Sequence, residues 1–198
     1  MGLSRRCVRK NNISEKLDYC VIMFCKNIIM RKLVAQIAVV IIALLFVSCA
    51  RDRIRASGNV ISLTREVRGE FDKLSVSDGI RAFVTMSDIE TETLTVEADD
   101  NIQAYIETYV INGEMRLKLK DHTVIKGRPT IRIYLKASAL SAVSGSGGSQ
   151  TDISNGINSE SFLMGLSGGS RLSARINSGG SVTAEISGGS RSDLSGTC

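Results

Sequence analysis

The sequence predicts an all-β protein whose C-terminal part is a β-helix-like solenoid with Ser-Gly-rich corners, preceded by antiparallel or irregular strands. Three observations carry this. The tetrad Ser-Gly-Gly-Ser occurs four times, at 146–149, 167–170, 178–181 and 187–190, and two copies extend to Ser-Gly-Gly-Ser-Arg twenty positions apart. Between the tetrads, apolar and polar residues alternate at the period of a strand, which a flexible linker has no reason to maintain. After Cys49 no segment carries a helical period.

Taken in chain order, residues 1–29 hold Cys7, Cys20 and Cys25 among basic residues and precede an export-like segment. Export signals begin at the N-terminus, so this stretch reads as a misassigned extension, with translation starting at Met30. The three cysteines have spacings that match paired zinc knuckles poorly, so no metal is expected there. Residues 30–48 read as a lipoprotein signal peptide: Met30, Arg31 and Lys32 give a basic start, and 33–47 is a nearly pure apolar run. That run is short for a bilayer span but suits an export h-region. Ser48-Cys49 resembles the end of a bacterial lipobox, with Phe46 where the pattern prefers Leu, making Cys49 the expected lipidation site and the residue that ties the chain to a membrane. Residues 49–58 then form a charged tether.

From 60 onward the chain is strand-rich, over 60–67, 71–76, 80–86, 93–98, 105–111, 115–120 and 130–136. Asn112-Gly113 between two alternating runs is a hairpin signal, because these residues readily adopt the positive φ that a two-residue reverse turn needs. Asp78-Gly79 is a looser turn, and Pro129 marks a loop before the last long strand. From about 141 the repeats take over. Twelve of the eighteen Gly residues lie from Gly145 onward, mostly in pairs, where corners require conformations closed to residues with a Cβ. Steps of ten align Phe162, Leu172 and Val182, then Met164, Ala174, Ala184 and Leu194, then Leu166, Ile176 and Ile186 as inward columns. Arg171, Ser173, Arg175, Thr183, Glu185, Arg191 and Asp193 take the outward parity. One strand and one corner make about ten residues, so a coil is expected to take about twenty.

The charge balance removes one class of function. From Cys49 to Cys198 there are 17 Lys and Arg against 18 Asp and Glu, so the basic excess, 8 against 2, sits entirely before Cys49. It bears on membrane insertion, and no nucleic-acid partner is expected. With Cys49 lipidated, Cys198 is the only remaining thiol and no intramolecular disulfide can form.

The order Phe71-Asp72-Lys73-Leu74-Ser75-Val76, Gly79-Ile80-Arg81-Ala82-Phe83-Val84, an acidic segment, the strand pair around Asn112-Gly113, and Thr130-Ile131-Arg132-Ile133-Tyr134-Leu135 leading into Ser-Gly repeats resembles the head domain of putative auto-transporter adhesins, the GIN domain or DUF2807 family of exported Bacteroidetes proteins. The resemblance covers about 59–198. It implies a right-handed parallel β-helix-like solenoid with a surface role in the cell envelope, on an outer-membrane lipoprotein. Members usually continue through further Ser-Gly coils, so the stop just after a repeat raises the expectation that C-terminal coils are missing.

No catalytic set is legible. His122 beside Asp121 lacks a nucleophile at a telling spacing. Asp99-Asp100 reads as a solvated turn, since adjacent strand residues point apart. Ser144-Gly145-Ser146-Gly147 is a corner without the helix of a nucleophile elbow, and the Gly-rich corners lack the Lys and helix of a phosphate loop. Asp152 and Asp193 are isolated, unlike the ligands of calcium-binding β-rolls. The expectation is therefore a non-catalytic module without cofactor or metal, binding a glycan, a matrix component or a surface protein. The alternative is an envelope carbohydrate-active enzyme of β-helix type. An apolar column that stops at Leu194 also predicts self-association through the C-terminal coil.

Overall fold

The computed structural model describes residues 52–88 and 93–197. The leader, Cys49 and Cys198 lie outside the described residues. Thirteen strands and one 3₁₀ turn make up the described chain, which contains no α-helix and so no helix long and apolar enough to cross a membrane. In order they are β1 (Asp52–Arg55), β2 (Val60–Arg65), β3 (Lys73–Val76), β4 (Arg81–Met86), β5 (Leu94–Asp99), the turn Gln103–Tyr105, β6 (Ile106–Ile111), β7 (Glu114–Leu119), β8 (Thr123–Lys126), β9 (Ile131–Ala137), β10 (Ala142–Gly145), β11 (Gln150–Leu166), β12 (Arg171–Ile186) and β13 (Arg191–Thr197).

The described residues are thus all-β, as the alternating pattern requires. One sheet runs β2-β5-β9-β4-β11-β10-β3-β7-β6, with β12 on β11 and β13 on β12. Its middle is parallel. Antiparallel pairing is confined to the flanks: β2 with β5, β5 with β9, and the β6–β7 hairpin. Asn112 and Gly113 form that hairpin at φ 52° and 74°, as their sequence predicts. Two short strands escape the pattern. Asp52–Arg55, within the stretch expected as a tether, pairs in parallel with β8 in a separate two-stranded sheet.

The repeat register is the expected one. Gln150 stands opposite Arg171, Ile157 opposite Ile176, Ser161 opposite Ser181 and Arg171 opposite Arg191, so successive layers are nineteen to twenty-one residues apart. The long strands β11 and β12 each serve both halves of the sheet. The first part of β11 pairs with β4 and its last part with β10, and the inward residues of both halves join one apolar cluster that includes Leu74, Ile133, Phe162 and Leu172.

Four corners stack on one another for a geometric reason, the last at Gly188 (φ 64°), where an added Cβ would stand 3.2 Å from the Gly168 amide nitrogen. Gly147 and Gly148 (φ 60° and 77°) and Gly168 and Gly169 (φ 62° and 85°) turn the chain in the left-handed region, and Asp78-Gly79 (59° and 73°) does the same one layer earlier. Asp78-Gly79 is therefore a full member of this column, and the Asp78 carboxylate is held there by hydrogen bonds from its neighbour Ser77 Oγ at 2.8 Å and from the Leu119 amide of the adjoining layer at 3.0 Å. A Cβ on Gly168 would stand 3.1 Å from the Gly147 amide nitrogen. Gly168→Val should cost about 1–3 kcal/mol from the forced φ alone. Gly165→Ala, with ordinary φ and open space around its Cβ, should stay within about 0.5 kcal/mol. Thermal melts of the two variants check this, and equal melting temperatures would contradict the column.

The structure corrects the sequence reading in two places. The tetrad 178–181 is not a corner: it lies within β12, without positive φ, where Ser178 Oγ donates to the Glu160 carbonyl at 3.0 Å across the bend between the halves. Small residues serve there because a Cβ on Gly180 would meet the Glu160 oxygen at 2.5 Å. The second correction concerns the inward columns. Phe162, Met164, Leu166, Leu172, Ala174 and Ile176 are buried as expected, whereas Val182, Ala184, Ile186 and Leu194 are exposed. These four have the right register but sit on strand segments with a described neighbour on one side only. Burial in a stack depends on the next layer, not on parity alone.

Candidate functional site

The two-residue alternation that buries Ala82, Val84, Ile133, Leu172 and Ala174 forces their neighbours outward, and the register assembles those neighbours into rows. One row reads Ser62, Glu97, Arg132, Arg81, Gln150, Arg171, Arg191, across seven strands from β2 to β13. Adjacent members are about 4.8 Å apart. The next row, two residues along each strand, reads Thr64, Thr95, Tyr134, Phe83, Asp152, Ser173, Asp193.

One end of this face is fixed by a small network. Glu97 accepts from Arg132 Nη1 at 2.8 Å through Oε1 and from the Tyr134 hydroxyl at 2.9 Å through Oε2. That hydrogen bond, with some desolvation, raises the Tyr134 pKa above its ordinary value. The Tyr134 ring stacks on Phe83, centroids 5.3 Å apart and planes 17° from parallel. Along the rest of the row, Arg81, Arg171 and Arg191 are exposed and have no ion pair among the described residues. The other half of the sheet has a different character outside, with Lys73 beside Glu114 and with Arg116 paired to Glu114 at 2.6 Å.

The residues weighed for catalysis do not come together. Asp121 accepts from Lys118 Nζ at 2.9 Å, which holds its carboxyl below the ordinary range, and His122 follows in an exposed turn at φ 65°. Asp152 and Asp193 lie in one row but two strands apart, about 10 Å, too far to share a cation. No group of three or more His, Cys, Asp or Glu residues converges among the described residues. The corner residues Ser149 and Ser170 turn inward and are 1% exposed, away from any substrate.

Asp99 departs from its sequence reading. It is 1% exposed, not solvated, and its carboxylate accepts from the Gly58 amide at 2.6 Å and the Thr130 amide at 2.9 Å. It thereby ties the segments leading into β2 and β9 to the end of β5. Asp100 is the solvated partner, its pKa lowered by hydrogen bonds from Ser57, Asn59 and the Asn101 amide. A second, half-buried network, also not legible in the sequence, surrounds Arg65. This guanidinium donates to the carbonyls of Ile106 at 2.6 Å and Gln103 at 2.8 Å and fastens the 3₁₀ turn to β2, while partial burial lowers its pKa. Both networks are structural, because their donors and acceptors are used within the fold.

The fold and its exposed face define an all-β domain that presents a polar surface without an enclosed catalytic centre among the described residues. Residues 70–198 match the family described as putative auto-transporter adhesin, head GIN domain, and the chain belongs to that family. Among solved structures it is similar to a putative adhesin of Parabacteroides merdae (12% identity, TM-score 0.64), covering 72% of this chain and 59% of that one. A putative adhesin of Parabacteroides distasonis gives 15% identity and TM-score 0.65 over 72% and 59%. One of Bacteroides fragilis gives 18% and 0.55 over 70% and 75%. At such identities the likeness is one of fold, and this chain spans only 59% of the two Parabacteroides proteins. No curated protein matches it.

Proposed function

We propose that the protein is an exported cell-envelope lipoprotein, anchored through lipid on Cys49, whose GIN domain is a non-catalytic adhesion surface for a glycan or a protein. The observation that carries the reading is the outward face, on which the register gathers four guanidinium groups and a stacked aromatic pair on one solvent-facing surface. Family membership and the adhesin-like neighbours support it. We read the parallel layers, with their twenty-residue register and stacked left-handed corners, as coils of a right-handed parallel β-helix-like solenoid. In this reading the exposed Val182, Ile186 and Leu194 form an apolar edge that pairs with a second copy of the chain.

A glycan and matrix-protein array probed with the full-length protein in detergent tests the function. Retention on a defined ligand without turnover supports adhesion. Cleavage of an envelope polysaccharide, abolished by a single Asp or Glu substitution, would establish an enzyme instead. The anchor is tested by labelling cells with a fatty-acid probe: the wild type should be marked and Cys49→Ser should not, and equal labelling of both would reject Cys49. For the edge, sedimentation of Cys198→Ser protein should show association that grows with concentration. A clean monomer throughout would refute the pairing.

A further inference from the structure

We propose that the arginine row is the binding site for a linear acidic polysaccharide, lying across the strands with its carboxylate or sulfate groups on Arg81, Arg171 and Arg191. The inference rests on the adhesion reading and specifies its ligand. Like charges placed directly opposite each other on neighbouring strands are destabilising, yet the register sets Arg171 against Arg191 and Arg81 against Arg132. Of these four, only Arg132 has a carboxylate partner among the described residues. General basicity does not account for the row, because the chain from Cys49 onward has 17 Lys and Arg against 18 Asp and Glu. Such an arrangement fits a ligand that supplies the missing negative charge.

The residue types and their spacing identify the ligand's chemistry. All four cations are Arg, whose planar fork matches carboxylate and sulfate oxygens in two parallel hydrogen bonds. The row repeats at about 4.8 Å per strand, close to the rise of one sugar along an extended polysaccharide. The adjacent row offers what a sugar ring needs. The Phe83–Tyr134 pair provides an apolar platform for its C–H face, and Asp152, Ser173 and Asp193 accept from its hydroxyls. The same carboxylates argue against a membrane surface as occupant. A continuous plane of phosphates would set negative charge against Glu97, Asp152 and Asp193 as well as the arginines, whereas a polysaccharide lays its acidic groups along the arginine row and only hydroxyls against Asp152 and Asp193.

The test uses full-length protein in detergent, with polygalacturonate and chondroitin sulfate as acidic probes, dextran as the neutral one, and phosphatidylglycerol vesicles and single-stranded DNA as other polyanions. The wild type should bind at least one acidic polysaccharide, increasingly weakly as salt rises, and should ignore dextran. Arg81→Gln/Arg171→Gln/Arg191→Gln should lose at least tenfold in affinity. Lys73→Gln/Arg68→Gln/Arg116→Gln, which removes equal charge elsewhere, should lose less than twofold, with thermal melts confirming that both triples fold. Tyr134→Ser should weaken polysaccharide binding without changing its salt dependence. Equal losses in the two triples, or vesicles or DNA binding as tightly as the best polysaccharide, would overturn the proposal. If no acidic probe binds but the array retains a neutral glycan or a protein, this inference falls and adhesion stands. If nothing binds in either experiment, both fall.

Discussion

Ile176→Asp should unfold the repeat region, while Arg175→Asp leaves it folded. The two residues are adjacent, but strand parity sends them to opposite faces. Ile176 is 4% exposed, stands opposite Ile157 and belongs to the apolar cluster, whereas Arg175 is exposed opposite Ser195. An aspartate at 176 has no cation to meet and must be buried charged or take up a proton, at a cost of about 4 kcal/mol or more, comparable with the stability of a small domain. The same side chain at 175 remains in water, and the change should stay within about 0.5 kcal/mol. Circular-dichroism melts give the comparison. Similar curves would remove the parity assignment on which both the core and the outward rows depend.

The second large effect is expected at Asp99. Asp99→Ala leaves the amides of Gly58 and Thr130 without the buried carboxylate that accepts from both, and each lost hydrogen bond to a charged group contributes about 1.5–3 kcal/mol. A total of about 3–6 kcal/mol follows. It should appear as a lower urea midpoint together with faster hydrogen exchange at Gly58 and Thr130. Asp100→Ala, one residue on, removes an exposed carboxylate held by Ser57 and Asn59 and should shift the midpoint little. If Asp100 proved the costlier of the two, the assignment of buried and solvated partners would be reversed.

How far such features are legible in the sequence depends on what creates them. The strands at 80–86 and 130–136 are legible because a half-buried strand writes a two-residue alternation into its own residues. The hairpin at Asn112-Gly113 could be read because its backbone geometry admits few residue types. Strands β1 and β8 could not, since four residues are too few for a period. The burial of Asp99 is not legible because which of two adjacent carboxylates faces inward depends on the loops carrying Gly58 and Thr130, both some thirty or more positions away in the chain. The exposure of Val182 and Leu194 is not legible either, because burial requires a further paired strand and no residue encodes its neighbour's presence. The binding face lies between these cases. The twenty-residue recurrence already pairs Arg171 with Arg191, but Arg81 and Arg132 join them only through the register of β4, β9 and β11.

The central claim is that one outward row, not a pocket, is the working surface. Modification of the full-length protein with an arginine-specific dicarbonyl, read residue by residue by mass spectrometry with and without polygalacturonate or chondroitin sulfate, tests it most directly. The account predicts that the polysaccharide protects Arg81, Arg171 and Arg191 together and leaves Arg53, Arg68 and Arg116 reactive. Protection spread evenly over all these arginines, or absent from the three in the row while the polysaccharide is bound, would contradict it.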